Sequence, residues 1–216
     1  IGGMNMAVIT ISRQFGAGAL LLGERLCEKF GFRLVDENII NEVARKEKVS
    51  TDWLDAIEKE SASNALYILS SIVSKGFFYR TPGLPADEAE RKRYMEVLAH
   101  IMKGMADKGG FVIIGRGAQF ILKDHPKAIH ILLISDYERR VRLVSESLKV
   151  SPAEAKEMIR EKERQRAHLA TNIFKTNMDD PINYHLVINT GRISLDAAVD
   201  IMSCMLEDQI RQEKRV

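Results

Sequence analysis

Short continuous apolar runs alternate along this chain with stretches whose apolar residues recur every three or four positions. Ala7-Val8-Ile9-Thr10-Ile11 is β-branched and unbroken, the pattern of a strand buried on both faces. A loop with two glycines, Ser12 to Gly18, follows it, and then Ala19, Leu22, Leu26 and Phe30 fall at helical spacing before Gly31. Phe32 to Val35 predicts a second short strand, ending at Asp36. From about residue 37 to 108 the pattern is helical, with a stripe at Leu66, Leu69, Ile72 and Val73 and a break at Thr81-Pro82-Gly83-Leu84-Pro85. A long helix then runs to Lys108 and stops at Gly109-Gly110.

The alternation resumes in the second half. Phe111 to Ile114, Ile129 to Ile134 and Tyr184 to Asn189 predict three more strands. Ser135 and Glu138 are spaced as a capping box, which predicts a helix from Asp136. Ser151-Pro152-Ala153-Glu154 repeats that signal with proline at the first helical position, and Ser194 caps a C-terminal helix. Five apolar strands separated by helices predict a parallel α/β sheet covered on both faces. Ligands bind such sheets beyond the C-terminal ends of the strands. The search for chemistry therefore centres on Ser12 to Gly18, Asp36, Gly115 to Gly117, Ser135 and Asn189 to Gly191.

Composition narrows the classes. At 216 residues, one core with an inserted or mobile subdomain fits, over residues 4–216. Ile1-Gly2-Gly3 ahead of Met4 reads as a cloning scar. A net charge of +2 is too small to drive binding to nucleic acid or a membrane surface. No apolar run approaches the roughly 20 residues that span a bilayer, and no signal peptide precedes the first strand. Two cysteines, Cys27 and Cys204, lack metal spacing and suit a reducing, cytoplasmic setting. The five histidines, at 100, 125, 130, 168 and 185, show neither metal nor triad spacing.

Residues 7–30 have the strand, loop and helix order of a phosphate-binding loop, in which backbone N–H groups and the helix N-terminus surround an anion. They fail the G-x-x-x-x-G-K-[ST] pattern: with Gly18 as its second glycine, Arg13 stands at the first, Ala19 replaces the lysine and Leu20 the metal-holding hydroxyl. A glycine turn of this kind also serves α/β folds that bind no phosphate. Arg116, at a strand end, can grip a phosphate in two-point fashion; the alternative is an ion pair that orders its loop. Arg160, Arg164 and Arg166 lie in a charged helix, where pairing with Glu157, Glu161 and Glu163 on a solvated face is the simpler reading. Arg139, Arg140 and Arg142 read as another solvated face.

The loop Ile9-Thr10-Ile11-Ser12-Arg13-Gln14-Phe15-Gly16-Ala17-Gly18 resembles the I-S-R-[EQ]-[YF]-G-S-G-G-R opening of the cytidylate kinase-like family. The likeness continues through Val35-Asp36, through Phe111 to Ala118, against V-I-V-G-R-x-A, and through Glu163-Arg164-Gln165-Arg166 in the lid. It ends with Asp180 to Thr190, against D-P-x-x-Y-D-L-x-[IL]-N-[TS]. It is weakest from about residue 45 to 90, and His185 stands where the family has an acid.

This resemblance implies a P-loop kinase-type five-stranded parallel sheet, with a helical acceptor-binding region at about 37–108 and a lid at about 151–178. It implies transfer of the γ-phosphoryl group of ATP, with Mg2+, to a small nucleotide or nucleoside such as CMP or dCMP. In that scheme Arg13, Gln14, Gly16, Ala17 and Gly18 hold the ATP phosphates, Arg13 partly replacing the missing lysine. Arg116 holds the acceptor, and Asp36 either orients it or caps a helix at Glu37. Arg164 and Arg166 stabilise the transferred group. No residue is assigned to a metal. Ala19 and Leu20 lack the family's substitute charge, and Ile39, Ile40 and Asn41 stand where an acceptor-side arginine is expected. The alternative is a weak or inactive relative that binds a nucleotide or other anion as a sensor or assembly module. Trp53 and Phe77, Phe78 and Tyr79 are open to base stacking or to packing.

Overall fold

The structure is a computed structural model that describes residues 7–36 and 88–213. The stripe at 66–73, the break at 81–85, residues 37–41, Trp53 and the aromatics at 77–79 lie outside the described residues. Five strands form one sheet: β1 (Val8–Arg13), β2 (Arg33–Val35), β3 (Phe111–Ile114), β4 (Ala128–Ile134) and β5 (Leu186–Asn189). Their order is β2-β3-β1-β4-β5 and every pair is parallel. The expected fold is thus the observed one.

Alternation along the strands feeds two cores, one on each face. Ile9, Ile11, Val112, Ile114, Ile131 and Leu133 pack against α1 (Ala19–Phe30) and α6 (Leu195–Glu213). Val8, Val35, Phe111 and Ile113 pack against α2 (Glu88–Lys108). Ion pairs from Arg25 to Asp196 and from Lys29 to Asp200 join α1 to α6 at the surface. Gly31 ends α1 with φ 70°, and its N–H donates to the Cys27 carbonyl.

Three boundaries move, each for a visible reason. β1 runs on through Ser12 and Arg13, which pair with Leu132 and Leu133, so Arg13 leaves from a strand rather than from the loop. Asp136, not Ser135, caps α4 (Tyr137–Leu148): its carboxylate accepts the Arg139 N–H at 2.9 Å. Ser135 stays at the end of the sheet because its own N–H donates to Gln14 Oε1. Tyr184 and His185 precede β5, held by a 3-10 turn at Pro181–Asn183. The Ser151–Glu154 box and Pro152 start α5 (Pro152–Leu169), and Ser194 accepts the Ala197 N–H ahead of α6, as expected. α5 continues into a π-helical turn, Ala170–Phe174. A short α3 (Ala118–Ile121) follows β3.

Thr10 and His130 are cross-strand partners on the α2 face, both buried, with Thr10 Oγ1 and His130 Nδ1 2.8 Å apart. Burial, and next the neighbouring His185, lower the His130 pKa from 6.5 to about 4. The unfolded chain therefore binds this proton more readily than the folded one. The stability involved is intact above pH 6.5 and is lost as the pH falls toward 4, at a rate approaching 1.4 kcal/mol per pH unit. Urea unfolding from pH 7 to pH 4 should show this loss, and a His130→Gln variant should show a shallower one.

Candidate active site

The C-terminal ends of β1 and β3 and the last turns of α5 enclose a cleft of about 490 Å3. Its floor is Ser12, Arg13, Gly115 to Gly117 and Gln119; its roof is Glu161 to Arg166, with Met178 beside them. Four of the sequence candidates, Arg13, Arg116, Arg164 and Arg166, come together here.

Arg116 sits in the most unusual backbone of the site. Gly115, Arg116 and Gly117 have φ of 84°, 53° and 72°, a left-handed turn closing β3. Left-handed backbone costs a side-chain-bearing residue about 1–2 kcal/mol, so the fold holds Arg116 there against its preference. Glycine on each side has a steric cause. A methyl group at 115 would lie 2.2 Å from Arg13 Nη1, and one at 117 would lie 2.1 Å from the Phe174 ring. The Arg13 guanidinium therefore crosses the end of β3 beside Arg116. Arg116 forms no ion pair among the described residues, and its Nε is buried without a hydrogen-bond partner. The pairing alternative weighed from sequence is not realised there.

Arg166 is half-buried and fixed. Its Nη2 donates to Ser12 Oγ at 3.3 Å and to the Met178 carbonyl at 3.1 Å, and pairs with Asp179 at 2.8 Å. Tyr184 braces the same carbonyl through its hydroxyl at 2.5 Å and accepts from Gln119 Nε2 at 3.2 Å. Burial raises the Tyr184 pKa, so the phenol stays a neutral donor. Arg164 is exposed and pairs with Glu161 at 2.6 Å, while Arg160 pairs with Glu157 at 2.5 Å. For these two, the pairing read from composition is present.

Of the glycine loop, Ser12, Arg13 and Phe15 line the cleft, whereas Gln14 and Gly16 to Gly18 lie beside it. Gly16 and Gly18 have φ of 87° and 86°. Gly18 precedes α1 and has no side chain to cap it, so the N-cap residue leaves the first-turn N–H groups unfilled. The Ala17 carbonyl accepts from Thr190 Oγ1 at 3.0 Å, which ties the loop to the end of β5. Gln14 spends its side-chain oxygen on Ser135 N–H at 3.1 Å. Asp36 is buried at the end of β2, outside the cleft lining.

Arg140 overturns the expectation of a solvated face: Arg139 and Arg142 are exposed, but Arg140 is 7% exposed. Its Nη1 donates to the Phe15 carbonyl at 3.2 Å and to Glu163, joining the loop to α5. The signal was its helical register with Val141 and Val144, all three buried on α4. Gln119, Asp179 and Tyr184 were also missed as site residues, and Ser12, inside the searched loop, had been given no role. A polar Ser12 within an apolar strand was the one trace of its role.

The sequence profile of the cytidylate kinase-like family matches residues 8–192. An uncharacterized protein from Eubacterium ventriosum superposes with a TM-score of 0.66 at 20% identity, over 93% of this chain and 98% of that one. A gluconokinase from Sinorhizobium meliloti superposes with a TM-score of 0.53 at 11% identity, over 96% and 98% of the two chains. A segment of 102 residues is 30% identical to a uronate isomerase from Corynebacterium glutamicum. That segment is 47% of this chain and spans only 19% of that protein. Among the described residues, no helix is long and apolar enough to cross a membrane.

Proposed function

Because the chain belongs to the cytidylate kinase-like family, we propose that it transfers the γ-phosphoryl group of ATP to a small phosphate-bearing acceptor, with CMP and dCMP the first candidates. The observation that carries this reading is Arg116: an arginine in a left-handed turn at a strand end, lining the cleft, with a buried Nε that no described residue satisfies. A buried unpaired donor is costly, and an acceptor phosphate would satisfy it in two-point fashion.

In the reaction, an oxygen of the acceptor attacks the γ-phosphorus, the bond to the β–γ bridging oxygen breaks, and ADP leaves with that electron pair. The protein's part is positioning and charge. Arg116 fixes the acceptor, with Arg13 beside it. Arg166, held by Ser12, Met178 and Asp179, faces the transferring group with a guanidinium that need not reorganise. Arg164 adds charge at the rim.

The glycine loop suits an anion better than a metal. Its left-handed glycines and the uncapped start of α1 offer backbone donors to the ATP phosphates along Gly16 and Gly18, while the Ala17 N–H donates to the Gln14 carbonyl at 3.1 Å and shapes the turn. Gln14 supports that loop through Ser135. Leu20 stands at the metal-holding position and packs against the core, and among the described residues no group of three acidic, histidine or cysteine side chains could hold an ion. Mg2+ would enter on the nucleotide's phosphates.

The test is ADP formation from Mg-ATP over a panel of nucleosides and nucleoside monophosphates. Acceptor-dependent ADP supports transfer. The position of Ala19, buried at 6% exposure where a cation is expected, favours a second reading: nucleotide binding without turnover. ATP binding by calorimetry, with no ADP from any acceptor, would select it.

A further inference from the structure

We propose that Arg140 is the cation of the phosphate loop, supplying from α4 the charge that residue 19 lacks, and that Glu163 occupies its guanidinium until a polyphosphate displaces it. The inference rests on the nucleotide-binding reading above. Four observations carry it. Arg140 is 7% exposed and abuts the loop: a methyl group at Gly16 would meet its carbonyl oxygen at 2.9 Å and its Cβ at 3.0 Å. Its Nη1 donates to the Phe15 carbonyl at 3.2 Å, one residue before Gly16. Its counter-ion is Glu163, from the lid helix. Its Nε is buried with no hydrogen-bond partner among the described residues, leaving the guanidinium incompletely satisfied.

The placement of the pair matters. Glu163 lines the cleft and Arg140 does not, so the carboxylate stands between the cleft and the buried charge. A buried arginine needs an anion, and carboxylate and phosphate oxygens serve the same planar fork. The glutamate side chain is 40% exposed and can leave for solvent at little cost, whereas Arg140 cannot. A phosphate entering beside Phe15 and Gly16 brings more oxygens than the carboxylate it replaces, enough to reach the orphaned Nε–H. The Tyr137 ring, 5.5 Å from the guanidinium carbon, keeps the group in place through the exchange. Binding of the phosphate chain and release of Glu163 from Arg140 are then one coupled event.

The experiment is calorimetric titration of the full chain with ATP and, separately, with inorganic tripolyphosphate. The variants are Glu163→Gln and Arg140→Lys, each checked by thermal unfolding. Glu163→Gln should bind both ligands roughly tenfold more tightly than the unaltered chain, since the competing charge is gone. Arg140→Lys should bind both at least tenfold more weakly, because lysine cannot reproduce the fork. A gain for ATP but not for tripolyphosphate would place the effect on the nucleoside and overturn the proposal. So would Glu163→Gln binding ATP no better than the unaltered chain; that result would leave the nucleotide reading standing. If no form binds either ligand, both readings fall. Should Arg140→Lys not fold, the half-exposed Glu163→Gln decides alone.

Discussion

Replacing Arg116 with alanine should lower acceptor-dependent kcat/KM by about 100- to 1,000-fold while leaving the protein folded. The magnitude is that of removing one well-placed charged donor from a transition state. The fold should tolerate the loss because Arg116 makes no ion pair among the described residues and its Nε has no partner there to abandon. Its backbone adds a sharper expectation. At φ 53° glycine is at ease and any other residue is not. Arg116→Gly should therefore be about 1 kcal/mol more stable than Arg116→Ala in urea unfolding, and equally inactive. Such opposition between stability and activity marks a residue kept for its ligand. A structural arginine would lose both together.

Gly16→Ala should be the most damaging small substitution in the loop, at about 2–5 kcal/mol. Its φ of 87° excludes an L side chain at a cost of about 1–2 kcal/mol. The added methyl group would also press on the Arg140 carbonyl oxygen at 2.9 Å and on Arg140 Cβ and Val144 Cγ2 at 3.0 Å. Overpacking of this kind costs about 1–3 kcal/mol, and here one obstacle is helix backbone that cannot rotate away. The urea midpoint should fall with an unchanged m-value, and ATP affinity should fall with it. Gly31→Ala is the control, because nothing lies within 4 Å of a methyl group there and only its φ of 70° opposes the change.

The fold was legible in the sequence because its signals are local. Unbroken β-branched runs such as Phe111-Val112-Ile113-Ile114 can be little else than buried strands, and Ser151-Pro152-Ala153-Glu154 writes a helix start in four residues. The strand-end rule then put Arg13 and Arg116 at one edge, where they are found. The relations across the sheet were not legible. Asp179 pairs with Arg166 directly and Tyr184 acts on it through the Met178 carbonyl, and nothing in local spacing joins residues 12, 119, 166 and 184. Arg140 was misread for a related reason. Charge counted along a helix does not say which residue of Arg139-Arg140-Val141-Arg142 turns inward, whereas the register with Val144 does. The Ser135 cap slipped by one residue because Ser135 and Asp136 are both good caps, and Gln14, distant in sequence, claims the first.

The central claim is phosphoryl transfer at the Arg116 cleft, and ATP labelled at the γ-phosphate tests it most directly. The protein would be incubated with labelled Mg-ATP and CMP or dCMP, the products separated, and Arg116→Ala run alongside. Label should appear in the nucleoside diphosphate made from the acceptor, and should vanish in the variant. Label that stays in ATP, or that emerges only as inorganic phosphate whether or not an acceptor is present, would contradict it.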